Sequence, residues 1–173
     1  MTPPDPSTPP APTISVRPAT GADLPRIGRL GALLVEAHYN IDAKRFLATR
    51  ARTPLDYASF LETQLGRPDV AVLVADENGD VIGYAYAAVE GYDYMSLRGP
   101  AGVVHDILVE PESRGRGIGL LLLDAALAFL KKRGAPRVVL TTAEGNVAER
   151  LFARAGFRRT MIEMTRELDD RPS

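Results

Sequence analysis

Glycine and arginine alternate in a short segment near the middle of the chain, RGRGIG at residues 114–119. The strand-like run VVHDILV precedes it, and the aliphatic helical pattern GLLLLDAALAFLKKRG overlaps its end. Glycines let a ligand approach the backbone, and the first amides of a helix are unpaired and carry a partial positive charge. The segment is therefore suited to binding a phosphate group, with Arg114 and Arg116 adding charge.

Two known phosphate-binding patterns do not fit this spacing. A P-loop requires GxxxxGK[ST], and no Lys-Ser or Lys-Thr pair follows here. A dinucleotide fingerprint requires GxGxxG, whereas Gly115, Gly117 and Gly119 run GxGxG. A helix start softened by glycines, with solvated arginines and no ligand, stays open as the simpler alternative.

The segment VVHDILVEPESRGRGIG and its helix resemble the signature of the GNAT N-acetyltransferases, a strand, V-x-P and then [Q/R]xxGx[G/A]. Arg114, Gly117 and Gly119 match this signature position by position. LFARAGF at residues 151–157 is similar to the family's LYxxxGF. The resemblance covers residues 14–168 in element order. It implies a single-domain α/β GNAT-like fold, with a mixed central sheet and helices on both faces. It also implies an activity, the transfer of the acetyl group of acetyl-CoA to a primary amine.

The resemblance also implies a cofactor site. The pantetheine arm would lie along the backbone of Ile107, Leu108 and Val109, where the sheet splays. The pyrophosphate would contact the loop residues Arg114, Gly115, Arg116, Gly117, Ile118, Gly119 and Leu120. Family members usually place an asparagine seven residues before an aromatic residue, but Asn146 lies six before Phe152. Because one residue turns a helix by about 100°, Asn146 is expected to contact the cofactor only if the preceding chain absorbs the difference.

The acceptor must lose a proton to a base or to a water chain, since an alkylammonium with a pKa of about 10.4 has no lone pair to attack a thioester. His105 lies where some relatives place a glutamate base, and an imidazole suits that task. It could equally be a packed histidine bonded to a backbone carbonyl. Asp106 could orient, act as the base or stabilise a loop. Strand alternation predicts that His105 and Asp106 point to opposite faces.

Phe152 stands where many relatives carry a tyrosine thought to protonate the leaving thiolate, and a phenyl ring cannot donate a proton. A thiol with a pKa of about 8.5 leaves readily near neutral pH, so the loss should be tolerable. Water or another tyrosine, of Tyr84, Tyr86, Tyr92 and Tyr94, is the expected substitute. The missing tyrosine keeps a second hypothesis open, that of a non-catalytic acyl-CoA-binding sensor or regulatory protein.

Substrate specificity is expected from two variable segments, HYNIDAKRFLATR and the tyrosine-rich loop at residues 91–100. Aromatic side chains that converge on a cleft are typical of a binding pocket, which makes Tyr39, Phe46, Tyr92 and Tyr94 the candidates. Alternatively, Tyr39 and Phe46 merely close the helix pair over the sheet. Neither pattern identifies the acceptor, a small-molecule or peptide amine.

Hydrophobic periodicity predicts the element order βααβββαβαβ. Asp23 is expected to cap the first helix, which Gly28 and Gly31 weaken by up to about 1 kcal/mol each, so that it must depend on tertiary packing. The turn DENGD predicts a hairpin. The predicted elements are a strand from residue 14, helices near 24–37 and 54–65, strands 70–75, 81–89 and 103–109, helix 117–133, strand 137–142, helix 147–155 and strand 158–168.

Composition limits the other classes of function. With 21 Lys+Arg against 22 Asp+Glu, the net charge of -1 disfavours nucleic acid, even with the RGRG segment, and anionic membranes. The chain has no Cys and two His, so we expect no metal and no disulfide. The apolar stretch at residues 118–130 is shorter than the roughly 20 residues of a membrane span. A cytoplasmic location is the default, and a homodimer is expected from the resemblance.

Residues 1–12 contain six prolines and predict a disordered tail, followed by an N-acetyltransferase domain at 13–169 and a C-terminal tail at 170–173. We expect deletion of residues 1–12 to leave the melting temperature and the acetyl-CoA affinity unchanged, because this segment has few apolar side chains to bury. Thermal unfolding and calorimetric titration of the truncated chain check this. A large fall in melting temperature would contradict it.

Overall fold

The computed structural model describes residues 13–168, and both predicted tails, 1–12 and 170–173, lie outside the described residues. Strands alternate with helices in nearly the predicted order. The strands are β1 (Ile14–Pro18), β2 (Val70–Glu77), β3 (Asp80–Glu90), β4 (Ala101–Val109) and β5 (Val138–Leu140). The helices are α1 (Leu24–Ile41), α2 (Thr53–Glu62), α3 (Ile118–Lys132) and α4 (Glu149–Arg154), with short 3-10 turns at Gly21–Asp23 and Pro111–Ser113.

The five strands form one sheet in the order β1-β2-β3-β4-β5. The first four are antiparallel neighbours, and β4 pairs with β5 in parallel across the α3 connection. The β2-β3 hairpin turns at Asn78 and Gly79, whose φ angles of 54° and 96° are those of the primed turns that an Asn-Gly pair favours. The predicted mixed sheet is confirmed.

Helices cover both faces of the sheet. On one face, Leu24, Ile27 and Leu30 of α1 and Leu61 of α2 pack on Tyr84 and other sheet residues. On the other face, Leu122, Leu123, Ala126 and Leu130 of α3 pack on small and branched residues of β2, β3 and β4. Each face thus has its own apolar core, as predicted for helices on both sides of a sheet.

Gly28 and Gly31 allow α1 and α2 to approach each other closely. A Cβ atom on Gly28 would lie 2.2 Å from the Pro54 carbonyl oxygen, and one on Gly31 would lie 2.3 Å from the Tyr57 ring. No side chain larger than glycine fits at either position without displacement. The packing gained this way offsets the low helix propensity of the two glycines and holds Tyr57 against the sheet.

Asp23 does not cap α1 as predicted. Its carboxylate accepts hydrogen bonds from the Thr20 amide and hydroxyl, both at 2.8 Å, and from the Arg17 guanidinium. Arg17 holds the pKa of Asp23 well below its usual range. The prediction failed because a 3-10 turn precedes α1, so that the acidic side chain serves that turn and the β1 arginine instead.

The predicted last strand at residues 158–168 is also wrong. The segment forms no strand and joins no sheet within residues 13–168, and its apolar side chains Met161, Ile162, Met164 and Leu168 are exposed. A strand needs a neighbour for its backbone hydrogen bonds, and sequence periodicity carries no information on whether an adjacent edge is in reach. Ion pairs from Arg45 to Glu163 and from Arg159 to Glu149 contact the segment instead.

A β-bulge corrects the expected alternation along β4. Tyr86 pairs with Asp106 while Ala87 pairs with Val104, which leaves His105 as the extra residue. Val104 and Ile107 pack toward α3, and Leu108 packs toward α1 and α2. The His105 ring stacks on Tyr86, which belongs to the α1 and α2 face. His105 and Asp106 therefore lie on the same face, contrary to the prediction, because the inserted residue changes the phase of alternation.

Candidate active site

A cavity of about 430 Å³ opens where β4 and β5 separate. Their pairing ends at Val104 and Leu140, and beyond that point β4 pairs only with β3 among residues 13–168. The cavity takes its walls from both strands, from the α1 and α2 helices and from the segment before α4. Its lining includes Leu34, His38, Arg45, Phe46, Tyr57, His105, Asp106, Ile107, Thr142, Asn146 and Phe152. Its volume is in the range of small-molecule sites.

Asp106 is the carboxylate at this cavity, and two tyrosines support it. The Tyr57 hydroxyl, from α2, donates a hydrogen bond to the Asp106 carboxylate. The Tyr84 hydroxyl, from β3, donates in turn to the Tyr57 oxygen at 2.9 Å. The Tyr57 and Tyr84 rings meet edge to face, with centroids 6.1 Å apart. A chain of two hydroxyl groups therefore leads from the buried core to the carboxylate.

Burial raises the pKa of the Asp106 carboxyl to about 7. Desolvation disfavours the ionised form, which moves a carboxyl group from its ordinary value near 3.9 into the range of a general base that works at neutral pH. Proton exchange at this position near pH 7 is thus possible without a histidine.

His105 faces the cavity beside Asp106 but is bonded to another carboxylate. Its Nε2 lies 2.9 Å from Glu90 Oε1, and its ring stacks on Tyr86 with centroids 4.8 Å apart. Glu90 also accepts a hydrogen bond from Arg98 at 2.7 Å. The ring is thus held by a carboxylate at the start of the tyrosine-rich loop and not by the backbone carbonyl of the alternative prediction, and a role for His105 as base stays a prediction.

The glycine loop presents unpaired amides. Gly115 and Gly117 have left-handed φ angles of 78° and 80°, and a Cβ atom on either would meet nothing within 4 Å. Among residues 13–168, no backbone carbonyl accepts from the amides of residues 115–119, and Gly117 is the N-cap of α3. The open space in front of these amides is suited to an anion.

The two loop arginines are engaged elsewhere in this structure. Arg116 pairs with Glu77 of β2, and Arg114 Nε donates to the Val109 carbonyl at 3.1 Å. Both side chains are exposed. Within the described residues, both guanidinium groups thus already have an acceptor, whereas the backbone amides of the loop do not. Ile118 is buried in the core and Leu120 is exposed, while a Cβ atom on Gly119 would lie 3.3 Å from the Leu151 side chain.

Asn146 lies in the cavity wall, although its spacing from Phe152 departs from the family pattern. It precedes α4 rather than lying on it, so the turn of 100° per residue does not apply. Its Oδ1 accepts from the Ala148 amide at 3.0 Å. Phe152 is buried, lines the cavity and packs edge to face on Phe157 with centroids 6.1 Å apart.

The four predicted substrate residues separate into two groups. Phe46 lines the cavity and meets His38 edge to face, with centroids 5.1 Å apart. Tyr39, Tyr92 and Tyr94 are not among the lining residues, and the stacked rings of Tyr92 and Tyr94 are 72% and 78% exposed. The tyrosine-rich loop thus projects into solvent in this structure.

Sequence reasoning did not single out Tyr57 or Arg45. Tyr57 is the only tyrosine among the cavity-lining residues within the described part of the chain. Its one available signal was the glycine pair in α1, since Gly28 and Gly31 at a spacing of three mark a face where another helix approaches closely. The sequence did not indicate which residue would occupy the space.

Two further properties concern residues 13–168 alone. No helix there is both long and apolar enough to cross a membrane. No group of three or more His, Asp and Glu side chains in that range is arranged to hold a metal ion.

The divided sheet, with a glycine loop at the head of α3 and a cavity at the split, defines the class of acyl-CoA N-acyltransferases. Within that class, the sequence pattern of the acetyltransferase (GNAT) family matches residues 35–157. The chain belongs to this family. The predicted family and fold class are thereby confirmed.

Three known proteins show the range of the similarity. An L-methionine sulfoximine/L-methionine sulfone acetyltransferase of Pseudomonas aeruginosa is 30% identical over 148 residues, covering 83% of this chain and 79% of that protein. A mycothiol acetyltransferase of Thermobispora bispora is 36% identical over 96 residues, 53% of this chain and 31% of that protein. The chain therefore matches less than a third of the length of this second relative.

The third is a structure of the aminoglycoside N-acetyltransferase AAC(6')-Iy in complex with CoA. It superposes with a TM-score of 0.68 over 94% of this chain and 99% of that chain, at 18% sequence identity. At this level of identity the similarity shows a common fold.

Proposed function

We propose that the protein transfers the acetyl group of acetyl-CoA to a primary amine of a small molecule or peptide, by direct attack in a ternary complex. The observation that carries the proposal is the position of Asp106, a carboxylate with a raised pKa on the strand that leads into the glycine loop. Membership of the GNAT family supports acetyl-CoA as the cosubstrate. The superposed aminoglycoside acetyltransferase, which holds CoA, has the same fold.

In the proposed reaction, acetyl-CoA lies along the open backbone of β4 at Ile107, Leu108 and Val109, with its pyrophosphate on the amides of residues 115–119. The acceptor amine occupies the cavity. Asp106 takes a proton from the ammonium, and the nitrogen lone pair then attacks the thioester carbon. His105, held by Glu90, is the neighbouring group that faces the acceptor.

Collapse of the tetrahedral intermediate breaks the C–S bond and releases the thiolate of CoA. The phenyl ring of Phe152 has no proton to donate to it. As the amide forms, the nitrogen passes its second proton through water to the thiolate, which leaves as the thiol, and Asp106 returns the first proton to solvent. Because a thiolate is a good leaving group near neutral pH, this assistance is a small part of the barrier.

The cavity favours a small acceptor. Its volume of about 430 Å³ accommodates a molecule of amino-acid size or somewhat larger. Phe46 and Leu34 supply apolar wall, while Asp106 supplies the charge that attracts an ammonium. The acceptor of the Pseudomonas relative, L-methionine sulfoximine or sulfone, is therefore the first one to test. The predicted homodimer, cytoplasmic location and absence of nucleic-acid and membrane partners stay predictions.

A panel of amines tests the proposal directly. The full chain is mixed with acetyl-CoA and each amine, L-methionine sulfoximine and L-methionine sulfone included, and both thiol release and the acetylated product are measured. We expect stoichiometric thiol and acetyl-amine with at least one small primary amine. Tight binding of acetyl-CoA with no product across the panel would favour the alternative, a non-catalytic acyl-CoA sensor. No binding of acetyl-CoA at all would contradict both.

A further inference from the structure

The hydroxyl groups of Tyr57 and Tyr84 have no role in the reaction as proposed so far. Tyr84 is fully buried, and the only partner of its hydroxyl among residues 13–168 is the Tyr57 oxygen. Tyr57 lines the cavity, and its hydroxyl donates to Asp106. Gly31 of α1 leaves room for the Tyr57 ring, and Gly28 leaves room for the Pro54 carbonyl at the start of the same helix α2. Glycine lowers the helix propensity of α1 at these two positions. An ordinary apolar contact between the helices would not need this loss of helix stability.

We propose that Tyr57 is a positioning residue for the base: its hydroxyl, oriented by the hydrogen bond from Tyr84, holds the Asp106 carboxylate ionised and aimed into the cavity. The inference rests on the proposed function for the role of Asp106, but the contact itself does not.

The direction of the two hydrogen bonds determines how the two tyrosine hydroxyls affect the ionisation of Asp106. Because Tyr84 donates to the Tyr57 oxygen, the hydrogen of Tyr57 is left to point at the carboxylate. A hydrogen bond to the charged form of an acid favours that form. Tyr57 therefore opposes the desolvation of Asp106, so that the carboxyl still ionises near neutral pH instead of remaining protonated.

Other polar groups around Asp106 act differently. Its β3 partner Tyr86 directs its hydroxyl toward Gln64, at 3.5 Å, and stacks its ring on His105. From α1, the His38 Nδ1 lies 2.8 Å from the Leu34 carbonyl. Arg45, in the loop after α1, pairs with Glu163, and His105 pairs with Glu90. Tyr57 is thus the side chain whose hydrogen bond reaches the Asp106 carboxylate within the described residues.

Carboxyl NMR of the full chain labelled with 13C-aspartate tests the inference without a substrate. The Asp106 signal is assigned by its loss in Asp106→Asn, and its titration is compared between the parent, Tyr57→Phe and Tyr84→Phe. We expect Tyr57→Phe to raise the Asp106 midpoint by about one pH unit, the size of one hydrogen bond to a charged group, and Tyr84→Phe to raise it by less. Tyr86→Phe, the matched control on the same face of β3, should leave the midpoint unchanged.

The double variant Tyr57→Phe/Tyr84→Phe guards against misfolding, because it leaves neither hydroxyl buried without its partner. A midpoint in folded Tyr57→Phe or in the double variant that equals or lies below that of the parent would overturn the inference. With an acceptor in hand, the acidic limb of kcat/KM should move upward with the NMR midpoint. If the midpoint moves and the limb does not, the positioning of Asp106 is supported and its role as base in the proposed function is contradicted.

Discussion

Gly117→Asn is expected to weaken acetyl-CoA binding at least about tenfold, about 1.4 kcal/mol, while Arg116→Ala should weaken it by less than about threefold. At Gly117 the space beside the backbone is open, and the amides around it are unpaired. A side chain would fill the space that a pyrophosphate needs. Arg116 is paired with Glu77 and exposed, so its loss removes only a screened contact.

Asparagine is the sharper replacement at Gly117, where valine would also strain the backbone at a φ of 80°. Asparagine tolerates left-handed φ, and Asn78 has a φ of 54° in this same chain. Gly134→Asn is the matched control, since Gly134 also has a φ of 80° and open space but lies at the opposite end of α3. Calorimetric titration of the three variants decides the matter. Equal loss in Gly117→Asn and Gly134→Asn would show a fold effect only.

Asp106→Asn should lower kcat/KM by about 100-fold to 10,000-fold at pH 8, the range of a lost general base. The amide still accepts a hydrogen bond from Tyr57, so the cavity should keep its shape. His105→Gln should cost less than about tenfold, because the histidine is bonded to Glu90 and is not needed to remove the proton. A larger effect of His105→Gln than of Asp106→Asn would transfer the role of base to the histidine.

The Asp106→Asn variant should also be more stable than the parent at high pH. Since the pKa of Asp106 in the folded state is raised to about 7, the folded chain binds this proton more tightly than the unfolded chain does. Its contribution to stability is full below about pH 4 and is lost as the pH rises to about 7. Asp106→Asn should therefore raise the free energy of unfolding by on the order of 4 kcal/mol at pH 8, and by almost nothing near pH 4. Urea unfolding at both pH values measures this.

The segment that comprises β4, the glycine loop and α3 was predictable, because the residues that determine its conformation are neighbours in the sequence. Glycines at residues 115 and 117 take the left-handed φ that a tight loop before a helix requires, and the aliphatic pattern of α3 follows at once. The β2-β3 hairpin was predictable for the same reason, from one Asn-Gly turn. Sequence patterns work where neighbours in the chain decide the conformation.

The placement of His105 and Asp106 on one face of β4 could not be predicted, because it depends on one inserted residue. Alternation along β4 held from Asp106 to Val109 but failed at His105, where the bulge adds a residue with no signal in the strand's own sequence. The pairing register with β3 creates the bulge, and register is a property of two strands. The same reasoning explains the segment at residues 158–168, whose strand-like pattern needs an edge to pair with.

The contact between Tyr57 and Asp106 could not be predicted, because it depends on how the three elements α1, α2 and β4 pack together. Its helix was predicted, but the contact with Asp106 depends on α2 lying against two glycines of α1 over β4. The missing tyrosine at Phe152 directed attention to the tyrosines of the sheet and of the exposed loop. The tyrosine that lines the cavity, Tyr57, comes instead from α2, whose apolar periodicity predicts only that the helix packs on the sheet.

Backbone amide NMR of the full chain during titration with acetyl-CoA tests most directly whether the glycine loop and β4 form the acetyl-CoA site, since it needs neither an acceptor nor a variant. We predict that the largest shifts fall on the amides of residues 115–120 of the glycine loop and of residues 107–109 of β4. Shifts confined to other parts of the chain, or none at saturating acetyl-CoA, would contradict the assignment of this loop and strand as the acetyl-CoA site.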